Sequence, residues 1–171
     1  MHSEKIHKKV IIADDKGNII GAEDMLDAVE KNMIRCASRV YVFNESGQVL
    51  IQRRGENIHK PLMLDPSVGG HVDEGESFDE AADREMKEEL GLSNLSLEKI
   101  ADKYYSSGFF SNLYKTIIPD DTEILFDEEE VAEVIWLYPE ELDSLILERA
   151  EECTFSLKDS WREFRDRLVK I

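Results

Sequence analysis

Cysteine, proline and positive charge are all scarce in this chain. The two cysteines among 171 residues, Cys36 and Cys153, make neither a metal-type spacing nor a disulfide framework. Both read as ordinary thiols. Four prolines, with no proline-rich, low-complexity or repeated tract, leave nothing to divide the chain. Residues 1–171 therefore read as one domain able to bury a single core. No apolar run approaches the ~20 residues that span a bilayer. Residues 1–9 are polar and lack a signal-peptide core, so a cytoplasmic address is expected. Lysine and arginine total 21 against 38 aspartates and glutamates, a net charge of −17. Such a field repels nucleic-acid backbones and anionic membranes, which argues against either as a partner. It still admits a small phosphorylated molecule, because a metal and local arginines override a distant field. The acidic clusters at Asp120-Asp121, Asp127 to Glu130 and Glu140-Glu141 read mostly as solvated surface.

What the chain does have is concentrated between Gly70 and Leu92, which run Gly-x5-Glu-x7-Arg-Glu-x2-Glu-Glu-x-Gly-Leu. Residues 77–90 read as a helix. Ser77 with Glu80 three residues on is a capping box, and Gly91 supplies a left-handed stop. At about 100° per residue, Phe78, Ala81, Ala82, Met86 and Leu90 share one arc. Glu85 and Glu89 fall inside that apolar arc and Glu88 at its edge, all within reach of one another. Like charges turned inward cost several kcal/mol each unless compensated. Arg84 lies one turn from Glu88, but one arginine cannot neutralise three carboxylates. A hard divalent cation, Mg2+ or Mn2+, is the alternative, since such ions prefer carboxylate oxygen.

Elsewhere the pattern is of short strands. Val10 to Ala13 and Asn18 to Gly21 flank Asp14-Asp15-Lys16-Gly17 as a hairpin, and Glu23 to Asn32 reads as a short helix. Ser38 to Phe43 and Gln48 to Arg53 pair across a turn. Met63 to Val72 is extended, broken by Pro66 and Gly69-Gly70. Leu95 to Ser106 and Phe109 to Ile118 make another antiparallel pair, and Val131 to Tyr138 a late strand. Pro139 opens a short helix. In the last helix, residues 156–170, Trp161, Phe164 and Leu168 form a core stripe. The sum is an α+β domain, a mixed sheet with helices on both sides.

The segment from Gly70 to Leu92 resembles, at every fixed position, the Nudix box of the Nudix hydrolase superfamily. The resemblance implies the Nudix fold, an α/β/α sandwich, with the N-terminal hairpin and C-terminal helix as additions similar to the branch containing isopentenyl-diphosphate isomerase. It implies Glu85 and Glu89 as metal ligands, Glu88 as ligand or water-activating base, Arg84 and Glu76 as residues that orient the carboxylates, and the Gly69 carbonyl as a further ligand. Arg53 or Arg54 is expected to clamp a phosphate, since arginine forks bind phosphate in a bidentate way. Glu130 is expected to supply another ligand or the base, with Glu133 as a second residue toward the site. His71, Asp65 and Ser67 flank the site without a settled role. Tyr104, Tyr105, Phe109 and Phe110 offer base stacking or core packing.

The implied activity is metal-dependent hydrolysis of a phosphoanhydride in a nucleoside di- or triphosphate, or a related nucleoside diphosphate linked to another group. Homodimers are frequent in the family. Two rival readings are an isopentenyl-diphosphate isomerase and a non-catalytic nucleotide sensor. The isomerase needs a cysteine leading into the metal site, and Met63 to Val72 contains none. Sensors often lose box glutamates, and here all are present.

Overall fold

The computed structural model describes residues 8–170. β1 (Lys9–Ala13) and β2 (Ile19–Asp24) form the expected hairpin. The Asp14 carboxylate closes it by accepting from the amides of Lys16 and Asn18, each at 2.9 Å. Asp24 then caps α1 (Met25–Glu30), accepting from the amides of Leu26 and Asp27. The helix is shorter than the sequence pattern suggests because β2 runs through Asp24.

β3 (Ile34–Asn44) is the spine of the sheet. One edge pairs in parallel with β8 (Phe109–Ile118), from Arg35↔Phe109 to Asn44↔Ile118. Three strands share the other edge in turn: β1 at Ile34 and Arg35, β6 (Val68–His71) at Ala37 to Val40, and β4 (Val49–Arg54) at Phe43. β4 diverges to pair with β9 (Val131–Leu137) and with the two-residue β5 (Leu64–Asp65). β7 (Glu98–Ser106) returns on β8 through Ser107-Gly108, both at positive φ, as a tight two-residue hairpin requires. Only the β3–β8 pairing is parallel among the named strands, so the sheet is mixed as expected.

Successive side chains on β3 point to opposite faces. Val40 and Val42 pack with Val68 and with Ala82, Met86 and Leu90 of α2 (Phe78–Leu90). Tyr41 and Phe43 pack on the other face with Leu142 of α3 (Pro139–Glu148) and with Leu157, Trp161 and Leu168 of α4 (Phe155–Leu168). The core stripe read from the last helix is thus in place, with Phe164 packed against it. Helices cover both faces, which gives the α/β/α sandwich of the Nudix fold. Among the described residues no helix is long and apolar enough to cross a membrane.

Candidate functional site

α2 forms as its local sequence dictates. The Ser77 side chain accepts from the Glu80 amide while the Glu80 carboxylate accepts from the Ser77 amide, and Gly91 ends the helix at φ 67. The helix lies across β6, and its inward face carries two acids among the apolar residues. Glu85 is 9 % exposed and Glu89 7 %. They reach the sheet because the strand beneath has no side chains in the way. A Cβ on Gly70 would lie 2.1 Å from Glu85 Oε1, and a Cβ on Gly69 3.0 Å from Arg39 on the opposite face.

Glu89 is held by neutral donors. Its Oε2 accepts from Gln52 Nε2 at 2.8 Å and from the Gly69 amide at 3.3 Å. Gln52 is fixed by a second bond, to the Ser67 carbonyl at 3.0 Å. No lysine or arginine among the described residues forms an ion pair with Glu89. Burial, then the charge of Glu85, push the Glu89 carboxyl well above its ordinary range. Neutral hydrogen bonds compensate a buried carboxylate only in part, whereas a cation does so directly.

The third member of the cluster comes from the loop before β9. Carboxylate oxygens of Glu85, Glu89 and Glu130 lie within 4.8 Å of one another. Glu130 is positioned by backbone: the Gly55 amide donates to its carbonyl at 2.8 Å, and the Asp127 amide donates to the Glu89 carbonyl at 3.1 Å. This donor set of three hard oxygens, two of them buried, suits Mg2+ or Mn2+.

Arg84 ties the surroundings together. Its Nε donates to Glu76 Oε1 at 2.6 Å, Nη1 to Glu85 Oε1 at 2.7 Å and to Glu88 Oε2 at 3.3 Å, and Nη2 to the His71 carbonyl at 3.0 Å. Asp73 takes a further contact from Nη2 at 3.2 Å and an ion pair from Lys8. Burial alone would raise the Glu76 carboxyl, but the Arg84 hydrogen bond, the Asp73 amide and the Arg84 charge hold it below its ordinary value. Glu88 sits at the mouth, exposed, with Arg84 as its contact. His71 is pushed down to about 3 by burial and by the nearby charges of Arg35, Arg39 and Arg84, so it is neutral across the physiological range.

These groups line a cavity of about 260 Å³ that includes Glu85, Glu88, Glu89, Glu130, Gly69 and Arg84. Arg54 lines it too, with its Nη1 bonded to Asp65 at 3.0 Å. Arg53 lies outside the cavity lining, paired with Glu133 at 3.1 Å, and the exposed Glu133 is likewise turned elsewhere. Ser67 is buried and structural: its Oγ donates to the Leu50 carbonyl and accepts from the Val42 amide. Gln52 and Asp73, which sequence reading passed over, hold the site. The signal for Gln52 was a polar residue directly after the apolar run Val49 to Ile51 in β4.

Comparison with known proteins agrees with the fold. The NUDIX domain profile matches residues 33–156. An uncharacterized Nudix hydrolase from Nostoc is 33% identical over 140 residues, covering 77% of this chain and 80% of its own. Isopentenyl-diphosphate Delta-isomerase 2 from Photorhabdus laumondii is 28% identical over 144 residues, covering 80% and 81%. Among solved structures, DR0079 from Deinococcus radiodurans superposes with a TM-score of 0.78 at 25% identity, over 95% of this chain and 100% of that one.

Proposed function

The chain belongs to the NUDIX family of Nudix hydrolases, and from that premise we propose that it is a divalent-metal-dependent enzyme cleaving a phosphoanhydride in a nucleoside di- or triphosphate, or in a related nucleoside diphosphate joined to another group. The observation that carries this reading is the convergence of Glu85, Glu89 and Glu130, whose carboxylate oxygens lie within 4.8 Å of one another, with buried Glu89 lacking a basic partner among the described residues. Glu85, Glu89 and Glu130 hold Mg2+ or Mn2+, with the Gly69 carbonyl as a further ligand by family resemblance. Once bound, the ion offsets negative charge on phosphate oxygens and acidifies water.

The chain's own residues do the rest. Arg84 and Glu76 keep Glu85 aimed at the cavity, since Arg84 bonds both. Arg54 reaches the same cavity and binds a phosphate of the substrate. A carboxylate at the mouth takes the proton of the attacking water, and exposed Glu88 fits that role better than Glu130, which stands among the ligands. Water attacks phosphorus in line with the departing phosphate, yielding two phosphorylated products.

The test is Glu89→Gln with metal titration against a panel of nucleotides and nucleotide sugars. We expect a loss of at least about 10²-fold in kcat/KM, the scale at which a key electrostatic group acts. Wild-type turnover by the variant on every cleaved substrate would refute the ligand assignment.

The relative from Photorhabdus keeps a second reading in view, isomerisation of isopentenyl diphosphate. The site speaks against it: Cys36 and Cys153 are both buried and line neither this cavity nor its neighbour. Incubation with isopentenyl diphosphate, followed by product identification, separates the two, and metal-dependent release of phosphate from any nucleotide removes a purely sensory role.

A further inference from the structure

A second cavity of about 500 Å³ adjoins the acidic one, and the two share Met25, Arg54, Gly69, Gly70 and His71 as walls. Its charge is opposite. Arg35, Arg39, Arg54 and Lys60 line it, with Asp65 as the single carboxylate, and Asp65 is engaged with Arg54 and Thr154. In a protein of net charge −17 this is a local inversion.

Arg35 and Arg39 are four residues apart on β3, so both project from the face that also carries Tyr41. Neither forms an ion pair with any described carboxylate. They are held instead by an aromatic ring. The guanidinium carbons of Arg35 and Arg39 lie 4.3 and 5.5 Å from the Phe109 centroid. Arg35 Nη1 also touches His71 Nε2 at 3.5 Å, while its Nε is buried without a partner. Cation–π contacts orient guanidinium groups without neutralising them, so the fork stays able to bind oxyanions. Phe109 lines the cavity together with the arginines it holds. The volume suits a group of nucleoside size.

We propose that this cavity receives the part of the substrate beyond the scissile linkage, and that Arg35 and Arg39 select substrates bearing an additional phosphate there. The inference rests on the hydrolase reading for its catalytic arm and on the cavity alone for its binding arm. The substrate class is a diphosphate with an additional phosphate reaching past the glycine edge, either as a continued polyphosphate chain or as a phosphomonoester on the departing group.

The catalytic experiment compares kcat/KM within matched pairs: ADP with ATP for the continued chain, and NADH with NADPH for the phosphomonoester. Wild type should favour the more phosphorylated member of at least one pair by about tenfold or more, as a charge-assisted contact does. Arg39→Gln and the Arg35→Gln/Arg39→Gln variant should lose that preference through KM, with Arg39→Lys restoring part of it. The exposed control Arg162→Gln on α4, 79% accessible in its side chain, should keep it. A ratio is read, so a partly unfolded variant does not mimic the effect. The pair that shows the preference identifies which phosphate is read. No preference in either pair, or a preference that survives in the double variant, overturns the proposal.

The binding experiment is calorimetric titration of inorganic tripolyphosphate in EDTA. The wild type should bind, and the double variant should bind at least about tenfold more weakly. Equal affinity, or no binding by wild type, contradicts the proposal. Binding without any turnover would leave the receptor standing and remove the hydrolase reading, whereas turnover without discrimination would do the reverse.

Discussion

A methyl group at position 70 would lie 2.1 Å from Glu85 Oε1 and 2.2 Å from its carboxyl carbon, a distance at which something must move. The backbone of β6 is pinned by its pairing with β3, where Gly70 faces Ser38. The carboxylate is the softer partner and would swing out of the cluster. Gly70→Ala should therefore lower metal affinity and kcat/KM by about 10–100-fold, the range for losing the support of a ligand. Stability should fall less, because Glu85 is displaced toward solvent rather than into the core. Metal-dependence curves checked against thermal melts decide it, and an unaltered metal requirement would show that Glu85 does not bind where we place it. Much of this site was legible one residue at a time. The capping box, the glycine stop and the acids on the apolar arc are all set within one helix, where spacing translates directly into direction. Glu130 could be anticipated only by resemblance, because its approach to Glu85 and Glu89 depends on a loop docked by Gly55 and by the end of α2. Arg35 and Arg39 were missed for the same reason, since Phe109, which orients them, is far away in sequence and meets them only through β8.

Asp143 joins two elements. Its carboxylate accepts from Arg165 Nε at 2.8 and 2.9 Å and from Trp161 Nε1 at 2.8 Å, so α3 and α4 are clamped side by side over the sheet. Both helices were readable from sequence, Pro139 as an opening and the Trp161 stripe as a buried face. Their clamp was not, because Asp143 reads as one more acid in an acidic chain. Burial tends to raise its carboxyl, but hydrogen bonds from Arg165 and Trp161 and the Arg165 charge outweigh burial and hold it below its ordinary value. A depressed carboxylate stabilises the fold above its unfolded pKa near 3.9 and loses that contribution as pH falls through the lower folded value. Asp143→Asn should cost about 1 kcal/mol at neutral pH, a charged hydrogen bond discounted for its partial exposure. The gap between wild type and variant should close as pH drops below about 4. Denaturant titrations at pH 7 and pH 3.5 measure it, and a gap that persists undiminished in acid would show that shape, not charge, holds the two helices.

At the scale of the whole molecule, acids outnumber bases by 38 to 21, and the most expensive acids are those at the cavity floor. Glu89 is buried beside Glu85, with its carboxyl pushed upward by burial first and by that neighbour second. Without a cation, the fold carries this repulsion as a cost. A ligand that binds only the folded state adds RT ln(1 + [L]/Kd), about 2.7 kcal/mol at a hundred times Kd. Glu89→Gln should therefore act with opposite signs in two buffers. In EDTA the variant should melt at or above the wild-type temperature, because one buried charge is gone while the glutamine still accepts from Gln52 and Gly69. In saturating Mg2+ the wild type should rise above its own EDTA value and the variant should stay where it was. Sites held against stability for the sake of chemistry show this inversion. If Glu89→Gln instead lowered the melting temperature equally in both buffers, Glu89 would be an ordinary structural acid held by Gln52, and the cluster it shares with Glu85 and Glu130 would not be a metal centre.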